Sequence, residues 1–544
     1  MKVALLQVNT VIGDLAGNAD RMAAGVREAA RSRPDLILAP ELALTGCPPR
    51  DLLLQGGFVE RSLAVLEGLA ADLRGAPPII VGFAAQNPSC SGRSFHDAAA
   101  LLEGGAIREV IGKTYLSPSG ALDEGRYFEP AASTPRILSL GGRKVGISIG
   151  EEIWRTGRSA GDLVRAGADL IVNISASPFV PGKQGLREGG LSRIARDHRI
   201  PIATTNLVGG NDSLVFDGRS SVFGTDGTLI ARGAAFAEDI VIAYIDRPGP
   251  QAIALDDPAP ESEVWRALVL GTRDYVRKTG FETALLGLSG GIDSSLVAAI
   301  TARALGPESV LGVLLPSPYT SEESIEDARE VAENLGIRRC TLPITPAMET
   351  FDGIFAETFA GLPRDTTEEN IQARIRAVIL MALANKFDAM LLSTGNRSEA
   401  AVGYSTLYGD MAGGLSVIGD LSKGMVYRVS RWLNRERPVI PVRVLEKPPS
   451  AELRPGQTDR DTLPPYEILD AILHSYIECS ESPADIIAAG YPAETVYRIL
   501  RMVRLAEFKR RQAAPCIRVT ERAFDTDWRM PIAARSWWEE KAGR

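Results

Sequence analysis

Short apolar runs alternate with longer stretches of helical spacing through the first 246 residues of the chain. The runs are Val3 to Val8, Leu36 to Ala39, Ile79 to Phe83, Ala98 to Leu102, Val145 to Ile149, Leu170 to Ile174 and Ile202 to Thr205. Each has the length of a strand, and the alternation predicts an α/β domain with many strands. Residues 247–260, from Arg247-Pro248-Gly249-Pro250 to Asp256-Asp257-Pro258-Ala259-Pro260, are rich in proline and acid and predict a linker. A second alternation begins at Glu261. Its strands are expected at Thr283 to Leu288, Val310 to Leu315 and Ala389 to Ser393, and Tyr466 to Arg511 is mostly helical. The order strand, loop, crossover helix predicts a doubly wound parallel sheet over 261–544, with its ligand at the carboxyl ends of the strands.

At 544 residues the chain is too long for one core. With 45% hydrophobic and 24% charged residues, it has no apolar run near the roughly 18 residues that a membrane span needs. The start, MKVALLQVNTVIGD, reads as a first strand rather than a signal peptide, so a cytoplasmic protein without a membrane partner is expected. The five cysteines are scattered and contain no CxxC pair, which indicates neither a disulfide framework nor a zinc site. A net charge of −8 argues against nucleic acid as a partner. Lys509-Arg510-Arg511 is the main basic exception, and by itself it reads equally as a solvated helix end.

The densest chemistry lies in Leu286 to Val297, LGLSGGIDSSLV. An apolar strand ends there and Ser295 to Ala304 has helical spacing, so Ser289-Gly290-Gly291-Ile292-Asp293-Ser294 falls where a strand gives way to a helix N-terminus. Glycines let backbone N–H groups approach phosphate oxygens, the helix dipole favours negative charge, and serine hydroxyls add donors. A carboxylate beside a polyphosphate is repulsive unless a cation lies between them, so Asp293 implies Mg²⁺. The lysine ending of a Walker A loop is absent. The strand ends at Val313 to Ser321 and Leu391 to Glu399 offer further hydroxyls, a glycine and a carboxylate, with Glu399 a second candidate for the metal or for a substrate. SGGIDSS resembles the loop of the ATP pyrophosphatases, which attack the α-phosphate of ATP and release pyrophosphate.

Longer strings resemble NAD synthetase. They are Asp365 to Arg374, Thr394 to Gly414 (TGNRSEAAVGYSTLYGDMAGG), Lys447 to Tyr466 (KPPSAELRPGQTDRDTLPPY), Phe508 to Gln512 and Arg529 to Ile532. The resemblance implies that the carboxylate of deamido-NAD attacks ATP to form an adenylate, from which ammonia displaces AMP. It places Gly287, Leu288, Ser289, Gly290, Gly291, Ile292, Asp293, Ser294 and Thr394 on ATP, and Asn370, Glu399 and Lys509 on deamido-NAD. Asp293 and Glu399 would hold Mg²⁺. Both substrates are anionic, so an acidic chain must gather cations locally, and Lys509, Arg510 and Lys423 are the candidates.

The first half resembles the nitrilase-like amidase domain of glutamine-dependent NAD synthetases. Pro40 to Gly46 matches the segment of the family's general base, here Glu41, and Gly112-Lys113 with Leu122 to Phe128 matches the segment of its lysine, here Lys113. Asn206 to Ser220 matches the border of the glutamine pocket. In that family the glutamate deprotonates a cysteine that forms a thioester, while the lysine stabilises the oxyanion. Where the family has that cysteine, in a string like ICEDxW, this chain reads Ile149-Gly150-Glu151-Glu152-Ile153-Trp154. Glycine cannot form an acyl-enzyme. Leu207 and Ser213 also stand where the family usually has Gln and Glu, and three departures around one pocket read as natural loss rather than one engineered change. Cys47 follows Glu41 closely, but GCPP offers no sharp strand-end elbow and reads as a buried small hydrophobe. Glu41, Lys113 and Glu124 then read as a buried ion pair that is costly to break one partner at a time.

The expectation is an α/β protein with a nitrilase-like α/β sandwich over 1–246, a linker over 247–260 and an NAD synthetase domain over 261–544. Its partners would be ATP, deamido-NAD and ammonia as nitrogen donor, in a homo-oligomer. One alternative keeps glutamine as donor through a substitute nucleophile. Another is a tRNA-modifying ATP pyrophosphatase, whose usual cysteine pairs and basic surface are absent here.

Overall fold

The computed structural model describes residues 1–89, 91–117, 120–132, 136–154, 158–535 and 538; Cys90 lies outside them. The chain forms two compact units, Met1–Pro258 and Ala259–Arg544.

Two sheets build the first unit. One runs in the order Asp239–Tyr244, Lys2–Gln7, Leu36–Leu38, Ile79–Gln86, Phe95–Glu103, Ala106–Gly112. The other runs Ala252–Ile253, Leu229–Arg232, Ser221–Phe223, Ile202–Asn206, Leu170–Ser175, Arg143–Ile149, Ile137–Leu140. Successive strand residues point to opposite faces. Val3, Leu5, Leu36 and Leu38 therefore share a core with Val145, Ile147, Val172 and Ile174 of the other sheet. Their neighbours Ala4, Leu6 and Ile37 turn onto the helices Leu15–Ala30 and Phe58–Asp72, while Ile171 and Ile202 pack on Arg158–Arg165 and Lys183–His198. This four-layer stack of helix, sheet, sheet, helix buries both faces of its central strands, which is why they read as continuous apolar runs.

All seven expected runs form strands. The missed strands are edge or short ones. Ala106–Gly112 is largely exposed, and the hairpin Val208–Asn211 with Leu214–Asp217 contains two glycines. The stretch expected as a linker contains regular structure: Ala252–Ile253 pairs in parallel with Leu229–Arg232, and Pro260 opens the helix Pro260–Lys278.

The second unit is built on a sheet in the order Arg338–Thr341, Val310–Leu314, Thr283–Gly287, Ala389–Ser393, Leu415–Ser416, with every neighbouring pair parallel. Leu285, Val313 and Leu391 pack against Ile375 and Ala384 of the long helix Thr366–Phe387. Ala284 and Leu286, pointing the other way, are equally buried, and the helix Ile292–Leu305 runs against the same strands. The strand Ala389–Ser393 lies on the opposite side of Thr283–Gly287 from Val310–Leu314, so the order reverses and a crevice opens at the carboxyl ends. The helix expected from Ser295 begins at Ile292, because Gly291 takes the extended N-cap conformation, and Asp293 and Ser294 thereby join its first turn. Beyond the sheet, Tyr466–Leu473, Pro483–Ala488 and Ala493–Leu505 form a helical cluster with Trp528. Among the described residues no helix is long and apolar enough to cross a membrane.

Gly82, inside the strand Ile79–Gln86, sets the height of the segment that carries Glu41. A Cβ there would lie 2.4 Å from the Pro40 carbonyl oxygen and 2.5 Å from Glu41 Cα. Both obstacles are backbone. Gly82→Ala is expected to destabilise the first unit by about 1–3 kcal/mol, as overpacking does. A lower denaturation midpoint by calorimetry checks this, and an unchanged midpoint refutes it.

Candidate active site

The crevice of the second unit is a cleft of about 360 Å³, and Gly287 to Ser294, Thr394 and Glu399 all line it. Gly290 is left-handed at φ 81°, and a Cβ there would sit 2.1 Å from the Ser324 carbonyl oxygen, so only glycine lets the loop press on the helix Glu322–Leu335. Hydroxyls tie the loop together. Ser289 and Ser294 Oγ lie 3.1 Å apart, Gly291 N donates to Ser289 Oγ at 3.3 Å, and Ser295 Oγ donates to the Gly291 carbonyl at 2.8 Å. The sequence thus preforms a helix N-terminus facing the cleft, a geometry suited to phosphate.

Asp293 leaves that first turn toward two donors. Asn396 Nδ2 donates to its Oδ1 at 3.0 Å and Lys423 Nζ to its Oδ2 at 2.6 Å. Lys423 also donates to Glu399 Oε1 at 3.2 Å and lies 5.3 Å from the centre of the Tyr466 ring. Asn396 caps the helix Arg397–Val402 and accepts from Glu399 N at 3.0 Å, so one asparagine positions both acidic residues. Burial pushes the Glu399 carboxyl up to about 7, against the pull of the Lys423 ammonium and with the help of the Asp293 and Asp459 charges. For Lys423, burial acts to lower the ammonium, but the same carboxylates outweigh it and raise it. Two hard oxygen donors meeting beside a phosphate loop fit Mg²⁺, which takes one or two carboxylates together with substrate phosphates.

Two residues expected on substrate do not line the cleft. Asn370 Oδ1 accepts from Thr406 Oγ1 at 2.8 Å. Lys509 Nζ donates to the carbonyls of Gly403 and Ser405 at 2.8 and 2.7 Å. Burial holds the Lys509 ammonium below its usual value, with the Asp410 carboxylate opposing. Arg510 donates to the Ala400 and Ala401 carbonyls. These cations are therefore not a solvated helix end; they close the C-terminus of the helix Arg397–Val402.

In the first unit Glu41, Lys113 and Gly150 come together. Lys113 Nζ donates to Glu41 Oε1 at 2.6 Å and to Glu124 Oε1 at 2.8 Å, and reaches Asp97 Oδ2 at 3.5 Å. Glu41 Oε2 accepts from Ala176 N at 2.7 Å. Burial works to raise the Glu41 carboxyl, but Lys113 and hydrogen bonds from Asp97 and Ala176 bring it below its ordinary value. Asp97 goes the other way, raised by burial and by the Glu41 charge. Gly150 sits at the end of the strand Arg143–Ile149 with φ 60°, and a Cβ on it would lie 2.6 Å from Glu41 Oε1 and 2.7 Å from Lys113 Nζ. A side chain at 150 would thus point straight between the Glu41 carboxylate and the Lys113 ammonium. Cys47 is fully buried, and burial followed by the charges of Glu41, Asp97 and Glu124 pushes its thiol well up. Leu207 packs in the apolar core and Ser213 is buried.

Residues 264–513 match the family described as NAD synthase, and residues 2–254 match the carbon-nitrogen hydrolase family. A glutamine-dependent NAD(+) synthetase of Synechocystis sp. is 46% identical over 98% of this chain and 98% of its own. Its counterpart in Thermotoga maritima is 42% identical over 98% of this chain and 99% of its own. The solved glutamine-dependent NAD+ synthetase of Acinetobacter baumannii, in complex with ADP, is 37% identical with a TM-score of 0.76 over 98% of each chain. The chain belongs to the glutamine-dependent NAD synthetase family. It is a ligase that forms a carbon–nitrogen bond with ATP as co-substrate. The relatives' names favour glutamine as donor over the sequence expectation of ammonia alone.

The sequence reading of this synthetase passed over Arg376 and Asp97. Arg376 lines the cleft, donates to the Leu315 carbonyl at 3.1 Å and is drawn down to about 10 by burial, with Glu452 and Asp410 opposing. Ala373, Arg376, Ala377 and Leu380 all line the cleft at helical spacing, and an arginine on that small-residue face was the available signal. Asp97 was hidden inside an apolar strand.

A carboxyl raised from 4.5 to about 7 keeps its proton in the folded chain after the unfolded chain has lost it. Stability of the ligand-free synthetase should therefore fall as pH rises from about 4.5 to about 7, then level off. Glu399→Gln is expected to flatten that slope. Thermal midpoints of both proteins across the window check it, and equal slopes would reject the assignment.

Proposed function

We propose that the second unit adenylates the carboxylate of deamido-NAD with ATP, and that ammonia then displaces AMP to give NAD. The observation that carries this reading is the meeting of the phosphate loop with Asp293, Glu399, Lys423 and Asn396 in one cleft at the strand-order reversal. The loop and helix N-terminus would hold the ATP phosphates, consistent with ADP bound in the Acinetobacter baumannii relative. Asp293 and Glu399 would hold Mg²⁺, which offsets phosphate charge when bound. Arg376 and Lys423 supply fixed cations where charge grows during transfer. Thr394 lies at the carboxyl end of the neighbouring strand, in reach of the same nucleotide. Asn370 and Lys509 hold the loop Gly403 to Asp410, part of which lines the cleft, and so would act on deamido-NAD by setting that wall.

Two readings of the nitrogen donor rest on different observations. The relatives' names favour glutamine, which would require a nucleophile other than residue 150. Gly150 between Glu41 and Lys113 favours free ammonia, since no atom there can form a thioester, and the raised thiol of Cys47 is the opposite of an activated one. Ammonium should support NAD formation under either reading, because it attacks the adenylate directly. With glutamine as sole donor, one glutamate released per NAD supports the first reading and no glutamate supports the second.

Asp293→Asn keeps the size of the side chain but removes its charge. Turnover is expected to fall by about a hundred- to a thousandfold, and the thermal midpoint to fall as well, because the buried Lys423 ammonium loses one of its two carboxylate partners. Near-normal turnover at ordinary Mg²⁺ would remove Asp293 from the metal site.

A further inference from the structure

Away from both sites, the helix Tyr466–Leu473 continues into a π-helical turn, His474–Glu478, where Cys479 N donates to the His474 carbonyl at 3.1 Å. Residues five apart fall on different faces of an α-helix, but the wider turn brings His474 and Cys479 together. Cys479 Sγ lies 3.6 Å from His474 Nε2, and His474 Nδ1 lies 3.3 Å from Glu478 Oε1. The same Glu478 Oε1 lies 3.2 Å from Arg397 Nη1, and Arg397 is in turn paired with Asp420 at 3.3 Å. The Glu478 carboxylate beside Nδ1 favours the tautomer protonated there, whose Nε2 lone pair faces the sulfur. Thiol, imidazole and anchored carboxylate in that order form the arrangement that activates a cysteine nucleophile. Neither cleft uses it. Cys479 is exposed, whereas Cys47 and Cys516 are buried and Cys340 is half-buried with its thiol raised by burial.

We propose that Cys479 is a reactive thiol and a site of oxidation by hydroperoxides. His474 Nε2 takes the thiol proton as the sulfur attacks a peroxide oxygen. The S–O bond forms while the O–O bond breaks, and the departing alkoxide or hydroxide takes the proton back from the imidazolium. Sulfur loses two electrons to become a sulfenic acid, and the peroxide gains them to become an alcohol or water.

The full chain treated with hydrogen peroxide, with sulfenic acid trapped by dimedone and read for each cysteine by mass spectrometry, tests this. Cys479 is expected to react at least about tenfold faster in the native chain than in the same chain unfolded in urea, where the relay is lost. His474→Gln should slow the native reaction at least about tenfold while leaving NAD formation unchanged. A native rate no greater than the unfolded one overturns the proposal without any variant, and so does an unchanged rate in a folded His474→Gln protein.

Discussion

A buried lysine ammonium, clasped by carboxylates that reach it from separate elements, organises each of the two sites. In the second unit Lys423 joins Asp293 and Glu399, and all three residues belong to the first turns of helices, Lys423–Leu433, Ile292–Leu305 and Arg397–Val402. Three helix N-termini would otherwise present only positive poles to one point. The carboxylates settle on those poles, and the ammonium settles on the carboxylates. Removing one partner would leave uncompensated charge in a covered place, at a cost of several kcal/mol. The same balance draws the phosphate loop, the Asn396 turn and Lys423 into one wall, so the charge network and the shape of the cleft are one feature.

The first unit repeats the logic with a different outcome. Lys113 stands among Glu41, Asp97 and Glu124, whose carboxylate oxygens come within 4.8 Å of one another, and its ammonium bonds all three. The members respond differently: burial and the Glu41 charge push the Asp97 carboxyl well up, whereas against burial the Lys113 ammonium, with hydrogen bonds from Asp97 and Ala176, brings Glu41 below its ordinary value, and the carboxylates raise Lys113. Beside Gly150, Glu41 and Lys113 bond directly at 2.6 Å. Removing any one member of this buried group would leave its partners' charge uncompensated.

Much of this was legible in the chain. The seven apolar runs and the loop between Gly287 and Ser294 are local facts, and each appeared where local physics placed it. Other features could not be read locally. Lys509 looked like a surface cation or a substrate ligand because its partners, the carbonyls of Gly403 and Ser405, carry no sequence signal and lie about a hundred residues away in the chain. Arg376 and Asp97 were hidden because a charged residue inside a periodic apolar stretch shows its role only when the facing elements are known.

Sequence alone decided the alternation that makes two α/β units, the glycines that allow tight turns, and the chemical types available at each strand end, since these depend on backbone sterics and on the period of apolar residues. Tertiary structure decided which of those groups meet. Asp293, Asn396, Glu399 and Lys423 are spread over more than a hundred residues, and only the reversal of strand order brings their helices to one crevice. The opposite shifts of Glu41 and Asp97, and the upward shift of Glu399, likewise follow from burial and from neighbours supplied by other elements. Charge state in a folded protein is set by surroundings, and the surroundings are made by packing across long stretches of chain.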